Sequence, residues 1–136
     1  MPAPPLGSST ESRHIVTEAD TAQTLGNSNV NVLGSPRLLQ WIELTVDQLW
    51  EGCRDPAREV LLGTEFHFKH LGAAPVGSTL TIRATVIETS RRRGKYRVEA
   101  STRHGPVCEG WSENVVMRLE TFRERLAGRP ASEPPA

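Results

Sequence analysis

The sequence carries no excess charge of either sign, because 16 Lys and Arg residues balance 16 Asp and Glu residues. A nucleic-acid-binding domain usually carries a basic surplus that contacts phosphates, so this composition does not indicate one. Only two cysteines are present, Cys53 and Cys108, too few for the disulfide framework of a small secreted domain. No apolar run approaches the roughly 18 residues of a membrane-spanning helix, and the first residues lack the charged-then-apolar layout of a signal peptide. These absences favour a soluble, cytoplasmic protein with no nucleic-acid and no membrane partner.

The length of 136 residues is that of one ordinary domain with its own hydrophobic core. Both ends of the chain are rich in proline and serine, which is typical of disordered segments. The composition therefore predicts one domain over residues 13–127, with disordered segments at 1–12 and 128–136.

One helix is predicted near the N-terminus. Between Ser35 and Trp50 the apolar residues recur at steps of three and four, which is helical spacing. Ser35 stands at the expected N-cap and Pro36 at the first helical position, a favoured pair. Gly52 and Pro56 are stop signals, so the helix is predicted over about 36–51.

The period then changes to two, which is typical of half-buried strands. Four segments separated by turn residues alternate in this way, at 59–70, 79–90, 95–102 and 107–118. They predict an antiparallel meander, with a fifth strand at about 13–20 and a short helical turn at about 119–126. The fold class is α+β, in which the sheet buries the helix on its concave face and leaves an edge that invites a second subunit.

Three polar residues on these elements are candidates for chemistry. Glu43 borders the apolar stripe of the helix, and His70 precedes a Leu-Gly-Ala-Ala-Pro turn at the rim of the sheet. Ser35 begins the helix. Each also has a purely structural interpretation: Glu43 as a solvated carboxylate, His70 as a strand-end histidine and Ser35 as a cap alone.

Two other groupings do not predict a site. His67 and His70 are three residues apart on a strand, so they point to opposite faces, and zinc is not expected. Cys108 and His104 are separated by a Gly-Pro turn, which favours a buried, unreactive cysteine over a nucleophile pair.

Two motifs together resemble the fluoroacetyl-CoA thioesterase-like group of the hotdog-fold thioesterases. The first joins Ser35-Pro36 to Glu43 on the helix. The second joins Gly63-Thr64 to His70 and to the small-residue run Ala-Ala-Pro-Val-Gly at 73–77. The order of helix and meander agrees as well, and the resemblance covers about residues 15–125.

The resemblance implies a hotdog fold, with an antiparallel sheet wrapped around one long helix. It also implies a homodimer or dimer of dimers, with active sites between subunits and a CoA or acyl-carrier thioester as substrate. Glu43, His70 and Ser35 stand where the catalytic residues of that group act. Gly63, followed by Thr64, occupies the position whose backbone holds the thioester carbonyl.

The last strand departs from the group, because Asn114 stands where an arginine is common. Asn114 is kept as a substrate-binding candidate, together with Trp41, which either belongs to the core or walls an acyl pocket. The basic hairpin at Arg91 and Arg92 either is solvated or contacts the phosphates of CoA, for which arginine is well suited.

Thioester hydrolysis needs a nucleophile and a group that returns a proton to the departing thiolate, and no metal or redox cofactor. Glu43 either attacks the carbonyl or deprotonates a water, and His70 shuttles the proton. The sequence leaves both routes open. It also leaves three rivals: a non-hydrolytic acyl-thioester binding protein, a hotdog hydratase or dehydratase, and a structural dimer partner without ligand.

Overall fold

The computed structural model describes residues 3–27 and 29–129 and confirms the α+β class. Its elements in chain order are β1 (Ser9–Ile15), a 3-10 turn (Glu18–Asp20), α1 (Ser35–Gln48), β2 (Glu59–His70), β3 (Thr79–Ser90), β4 (Arg93–Thr102), β5 (Gly105–Arg118) and α2 (Leu119–Ala127). No helix among the described residues has the length and apolar character to span a membrane.

The five strands form one antiparallel sheet in the order β1-β3-β4-β5-β2. The predicted meander is right for β3, β4 and β5 but wrong for β2, which pairs with β5. The connection from β2 to β3 is not a hairpin: Ala74 is buried in it, and its carbonyl accepts a hydrogen bond from Leu33 N–H (2.8 Å). That connection carries the chain past α1 to the far side of β4 and β5, and β2 is left as an edge strand.

The core lies between α1 and the inner face of the sheet. Leu38, Ile42 and Val46 of α1 are almost completely buried, and the helix packs mainly on β3 and β1. The strand residues predicted to point inward are buried as well, including Leu80, Ile82, Ala84, Val86, Tyr96 and Val98. Burying each large apolar side chain stabilises the fold by about 1.5–3 kcal/mol.

The first turn of α1 differs from the prediction. Gly34 is the N-cap and Ser35 is already helical, and no side chain caps the helix. Gly34 is buried so closely that a Cβ there would lie 3.0 Å from the Cα of Ala22. The helix also ends three residues earlier than predicted, at Gln48. The hydroxyl of Ser35 is therefore free for another partner.

The first strand begins at Ser9, inside the segment predicted to be disordered. The polar residues of β1 that misled the prediction bond to the helix: Thr10 Oγ1 donates to Gln48 Oε1 (3.1 Å), and Ser12 Oγ lies 2.5 Å from Thr45 Oγ1. A serine-rich segment thus forms a polar edge strand. At the other end, residues 130–136 of the predicted tail lie outside the described residues.

A β-bulge in β2 determines which residues face the helix. The register with β5 shifts between Gly63 and Glu65, so simple alternation fails at Thr64. Gly63 is paired with Asn114, and His70 is paired with Cys108. The partners Asn114 and Cys108 are both buried on the inner face. The predicted alternation placed Gly63 and His70 on opposite faces and is wrong. The bulge brings both to the inner face.

Candidate active site

Ser35 and His70 meet at the N-terminus of α1. The Oγ of Ser35 lies 2.9 Å from His70 Nδ1, and both side chains are exposed. His70 is the last residue of β2. The next residue, Leu71, is held in place because its N–H donates a hydrogen bond to the Val107 carbonyl (2.7 Å). A hydrogen bond at Nδ1 orients the imidazole and leaves Nε2 to exchange a proton with a ligand. The structure thus brings together two of the three predicted catalytic residues.

Glu43 lies two helical turns away from that pair. Eight residues of α-helix at about 1.5 Å each place it roughly 12 Å from Ser35 along the axis. Glu43 lines a cavity of about 40 Å³ together with Gly63, Phe66 and Asn114. Within one chain, the predicted residues therefore fall into two groups, one around His70 and the other around Glu43.

Gly63 has a steric reason to be glycine. A Cβ at this position would collide with the ring of Phe66, which lies on the same face after the bulge. Gly63 is exposed and lines the cavity beside Glu43. That the backbone of Gly63 holds a carbonyl oxygen stays a prediction.

Comparison with known proteins identifies the family of the chain. Residues 16–120 match the model of the family described as fluoroacetyl-CoA-specific thioesterase. The chain belongs to this family. It is accordingly a hydrolase of acyl-CoA thioesters, as the resemblance implied. No curated protein sequence matches the chain significantly.

Solved structures show the same fold. The fluoroacetyl-CoA thioesterase FlK is 22% identical, with a TM-score of 0.82 over 93% of this chain and 98% of that one. A FlK mutant in complex with acetyl-CoA is 23% identical, with a TM-score of 0.83 over 90% and 96%. A hot-dog-like protein from Thermanaerovibrio acidaminovorans is 20% identical, with a TM-score of 0.83 over 95% of both chains. The predicted hotdog fold is confirmed.

Asn114, where this thioesterase departs from the pattern, is buried on β5. Its Oδ1 accepts a hydrogen bond from the Tyr96 hydroxyl (2.6 Å), and that hydroxyl in turn accepts one from the indole N–H of Trp50. Burial raises the pKa of Tyr96 to about 12, so the phenol is neutral at physiological pH. The contact between Trp50 and Tyr96 was not predicted, because periodicity does not reveal a polar contact inside a core.

Asp47 is a second carboxyl group beside the same cavity and was not predicted. It lies one helical turn after Glu43 and lines the cavity with it. Burial raises the pKa of Asp47, Arg54 opposes that shift, and the charge of Glu43 adds to it. The spacing of four residues between two carboxylates on one helix face is the signal that identifies it.

Three substrate-binding candidates lie on the rim or on other surfaces. Thr64 is the bulge residue, and its hydroxyl donates to the Glu113 carbonyl (3.3 Å). Arg91 and Arg92 are exposed at the turn between β3 and β4. None of the three lines the cavity beside Glu43, so their roles stay predictions.

Trp41 belongs to the opposite side of α1. Its ring stacks on His14 of β1, with centroids 4.4 Å apart and planes within 8°. Two residues on a helix differ by about 200° in direction, so Trp41 points away from Glu43. Within one chain it does not wall the cavity.

His67 and Cys108 have surroundings that do not fit catalysis. His67 stacks on Trp111 with centroids 4.2 Å apart, on the outer face, as its separation from His70 predicted. Cys108 is buried, and burial raises its pKa to about 11, so the thiolate is scarce at neutral pH. Across residues 3–27 and 29–129, no three His, Cys, Asp or Glu side chains are grouped to hold a metal ion.

Proposed function

We propose that the protein hydrolyses the CoA thioester of a small acyl group at a site shared by two subunits. Glu43 of one subunit attacks the thioester carbonyl or activates a water. The Ser35–His70 pair of the partner subunit returns the proton to the thiolate. The observation that carries this proposal is that Glu43 and Gly63 line the same cavity of about 40 Å³.

The homodimer rests on the free edge of β2. This strand pairs with β5 on one side only, and Phe66 on it is 38% exposed, which is unusual for a large aromatic side chain. Two β2 edges joined antiparallel about a two-fold axis would form one continuous sheet and satisfy both edges.

Such pairing would also bring the two halves of the site together. Antiparallel strands place the His70 end of one β2 beside the Glu59 end of the other, at a strand spacing of about 4.8 Å. Glu43 lies above the early part of β2, near Leu61 and Gly63. His70 of the partner subunit would then approach Glu43 more closely than its own His70 does.

The residues support hydrolysis by either of two routes. Direct attack by the Glu43 carboxylate gives an anhydride, which water then hydrolyses; alternatively, Glu43 deprotonates a water that attacks. In both routes His70 gives a proton to the departing thiolate, and acid–base help of this kind contributes about 10²–10⁴-fold. Ser35 holds the imidazole in the orientation this transfer needs.

Cys53 and Cys108 are unpaired, which supports the predicted cytoplasmic location. Asn114 carries no charge where the resemblance implies an arginine, and this favours the acyl-thioester binding protein as the second candidate. Ester binding without turnover would identify it.

A thiol-release assay over acetyl-, propionyl-, octanoyl- and benzoyl-CoA tests the proposal. We expect the acetyl and propionyl esters to be hydrolysed with kcat/KM at least about tenfold higher than the octanoyl ester. The reason is that the family matched by the chain is described as specific for fluoroacetyl-CoA, whose acyl group has only two carbons. Preference for octanoyl-CoA would contradict the small acyl group, and intact esters throughout would contradict the enzyme.

A further inference from the structure

We propose that Trp50 and Tyr96 are positioning residues that fix the direction of the Asn114 amide. Held in this way, the amide NH₂ donates a hydrogen bond to an acyl group bound beside Glu43. The site then selects acyl groups that carry an oxygen acceptor next to the thioester carbonyl. This inference rests on the proposed function and specifies its substrate class.

The orientation of the Asn114 amide follows from which atoms donate and which accept in the hydrogen bonds from Trp50 to Tyr96 and from Tyr96 to Asn114. An indole nitrogen can only donate, so the Tyr96 oxygen accepts from Trp50. The Tyr96 hydroxyl donates its one hydrogen to the atom of Asn114 that lies 2.6 Å away. That atom is the carbonyl oxygen, since the amide nitrogen is a donor only. The NH₂ group must therefore occupy the other branch of the side chain.

The surroundings keep this direction fixed. Trp50 is 1% exposed and Tyr96 is fully buried, so water does not compete for either bond. Asn114 lines the cavity that contains Glu43, and within the described part of the chain its amide nitrogen has no hydrogen-bond partner. An acceptor on the ligand would supply the missing partner, and a ligand without one would leave the donor unpaired.

Gly94 makes room for the arrangement. It pairs with Asn114 across β4 and β5 and is buried. A Cβ at Gly94 would collide with the Tyr96 hydroxyl. The glycine thus lets the phenol reach Asn114, and an alanine there would displace the hydroxyl while every polar group is kept.

The test compares hydroxyacetyl-CoA with propionyl-CoA, which differ by a hydroxyl in place of a methyl group. We expect the wild-type protein to prefer hydroxyacetyl-CoA in kcat/KM by roughly tenfold or more. Tyr96→Phe should lower that preference about five- to tenfold, mainly by raising KM for hydroxyacetyl-CoA. Its kcat/KM for propionyl-CoA should stay within about threefold of wild type. Gly94→Ala should show the same change.

A matched control is Val98→Ala, which truncates another buried inner-face residue of β4. It should lower the melting temperature and leave the preference unchanged, so a merely structural effect is distinguishable. Equal kcat/KM for the two esters in wild type, or an equal loss for both in Tyr96→Phe, would overturn the inference. If Tyr96→Phe does not fold, the wild-type ratio and Gly94→Ala decide.

Failure of the proposed function would be seen separately. If neither ester is hydrolysed, the enzyme proposal fails. Equilibrium binding of the same two esters then tests whether the Asn114 amide donates a hydrogen bond to the acyl group. Tighter binding of hydroxyacetyl-CoA that is lost in Tyr96→Phe supports the inference. Equal binding of the two esters overturns it.

Discussion

Replacing Glu43 by glutamine is expected to lower kcat for acyl-CoA hydrolysis by about 10³-fold or more. Glutamine keeps the size of the side chain and its place beside Gly63. It can neither attack the carbonyl nor accept a proton from water, so both routes lose their reacting group. The measurement is thiol release from acetyl-CoA under saturating substrate.

Stability should be little affected, because Glu43 is exposed and makes no ion pair in the described part of the chain. The free energy of unfolding is expected to change by less than about 0.5 kcal/mol. Glu51→Gln is the matched control, since Glu51 is an exposed carboxylate just beyond the end of α1. Its kcat should equal that of the wild type. A Glu43→Gln protein that keeps a tenth of the wild-type kcat would exclude the proposed role.

Replacing His70 by alanine is expected to lower kcat by about 10²–10⁴-fold, the usual contribution of a general acid or base. Ser35→Ala should cost less, about tenfold, because it removes only the bond that orients the imidazole. The double variant should be no worse than His70→Ala alone, since the serine acts through the histidine. Steady-state thiol release from acetyl-CoA measures all three.

His67→Ala is the matched control for this series. His67 lies on the same strand three residues earlier, but on the outer face against Trp111. Its removal should leave kcat within about twofold of wild type, because surface changes away from the site are usually mild. Losses that simply multiply in the Ser35→Ala, His70→Ala double variant would show that the two residues act independently.

The helix α1 and the strands β2 to β5 could be predicted from periodicity, because each is ten residues or longer, whereas the seven-residue β1 was predicted too late in the chain. The pairing of β2 could not, since alternation in one strand does not say which strand lies beside it. The bulge at Thr64 was also invisible, and it reversed the face of Gly63. At Ser35 the local rule for N-caps did not hold, because Gly34 is the N-cap, and the Ser35 hydroxyl instead contacts His70, which is 35 residues away.

The candidate site depended on the motif resemblance more than on composition. Glu43, Gly63 and His70 were identified by family pattern, and the structure shows that they lie on the inner side of the sheet but in two groups. For Trp41 the prediction left two alternatives open, because an aromatic residue on a helix can face either flank, and in the structure it packs against the core. Asp47 and Tyr96 were missed because their surroundings depend on packing between α1, β4 and β5.

The most direct measurement mixes Glu43→Gln subunits with His70→Ala subunits and assays thiol release after the subunits have exchanged. Each variant alone is expected to be nearly inactive. A mixed dimer has two sites, each built from Glu43 of one subunit and His70 of the other. One site contains both substitutions and is inactive, and the other contains neither and is intact. Random mixing should therefore restore about one quarter of wild-type activity. No recovery, with exchange verified by mass spectrometry of the intact dimer, would contradict a site shared between subunits.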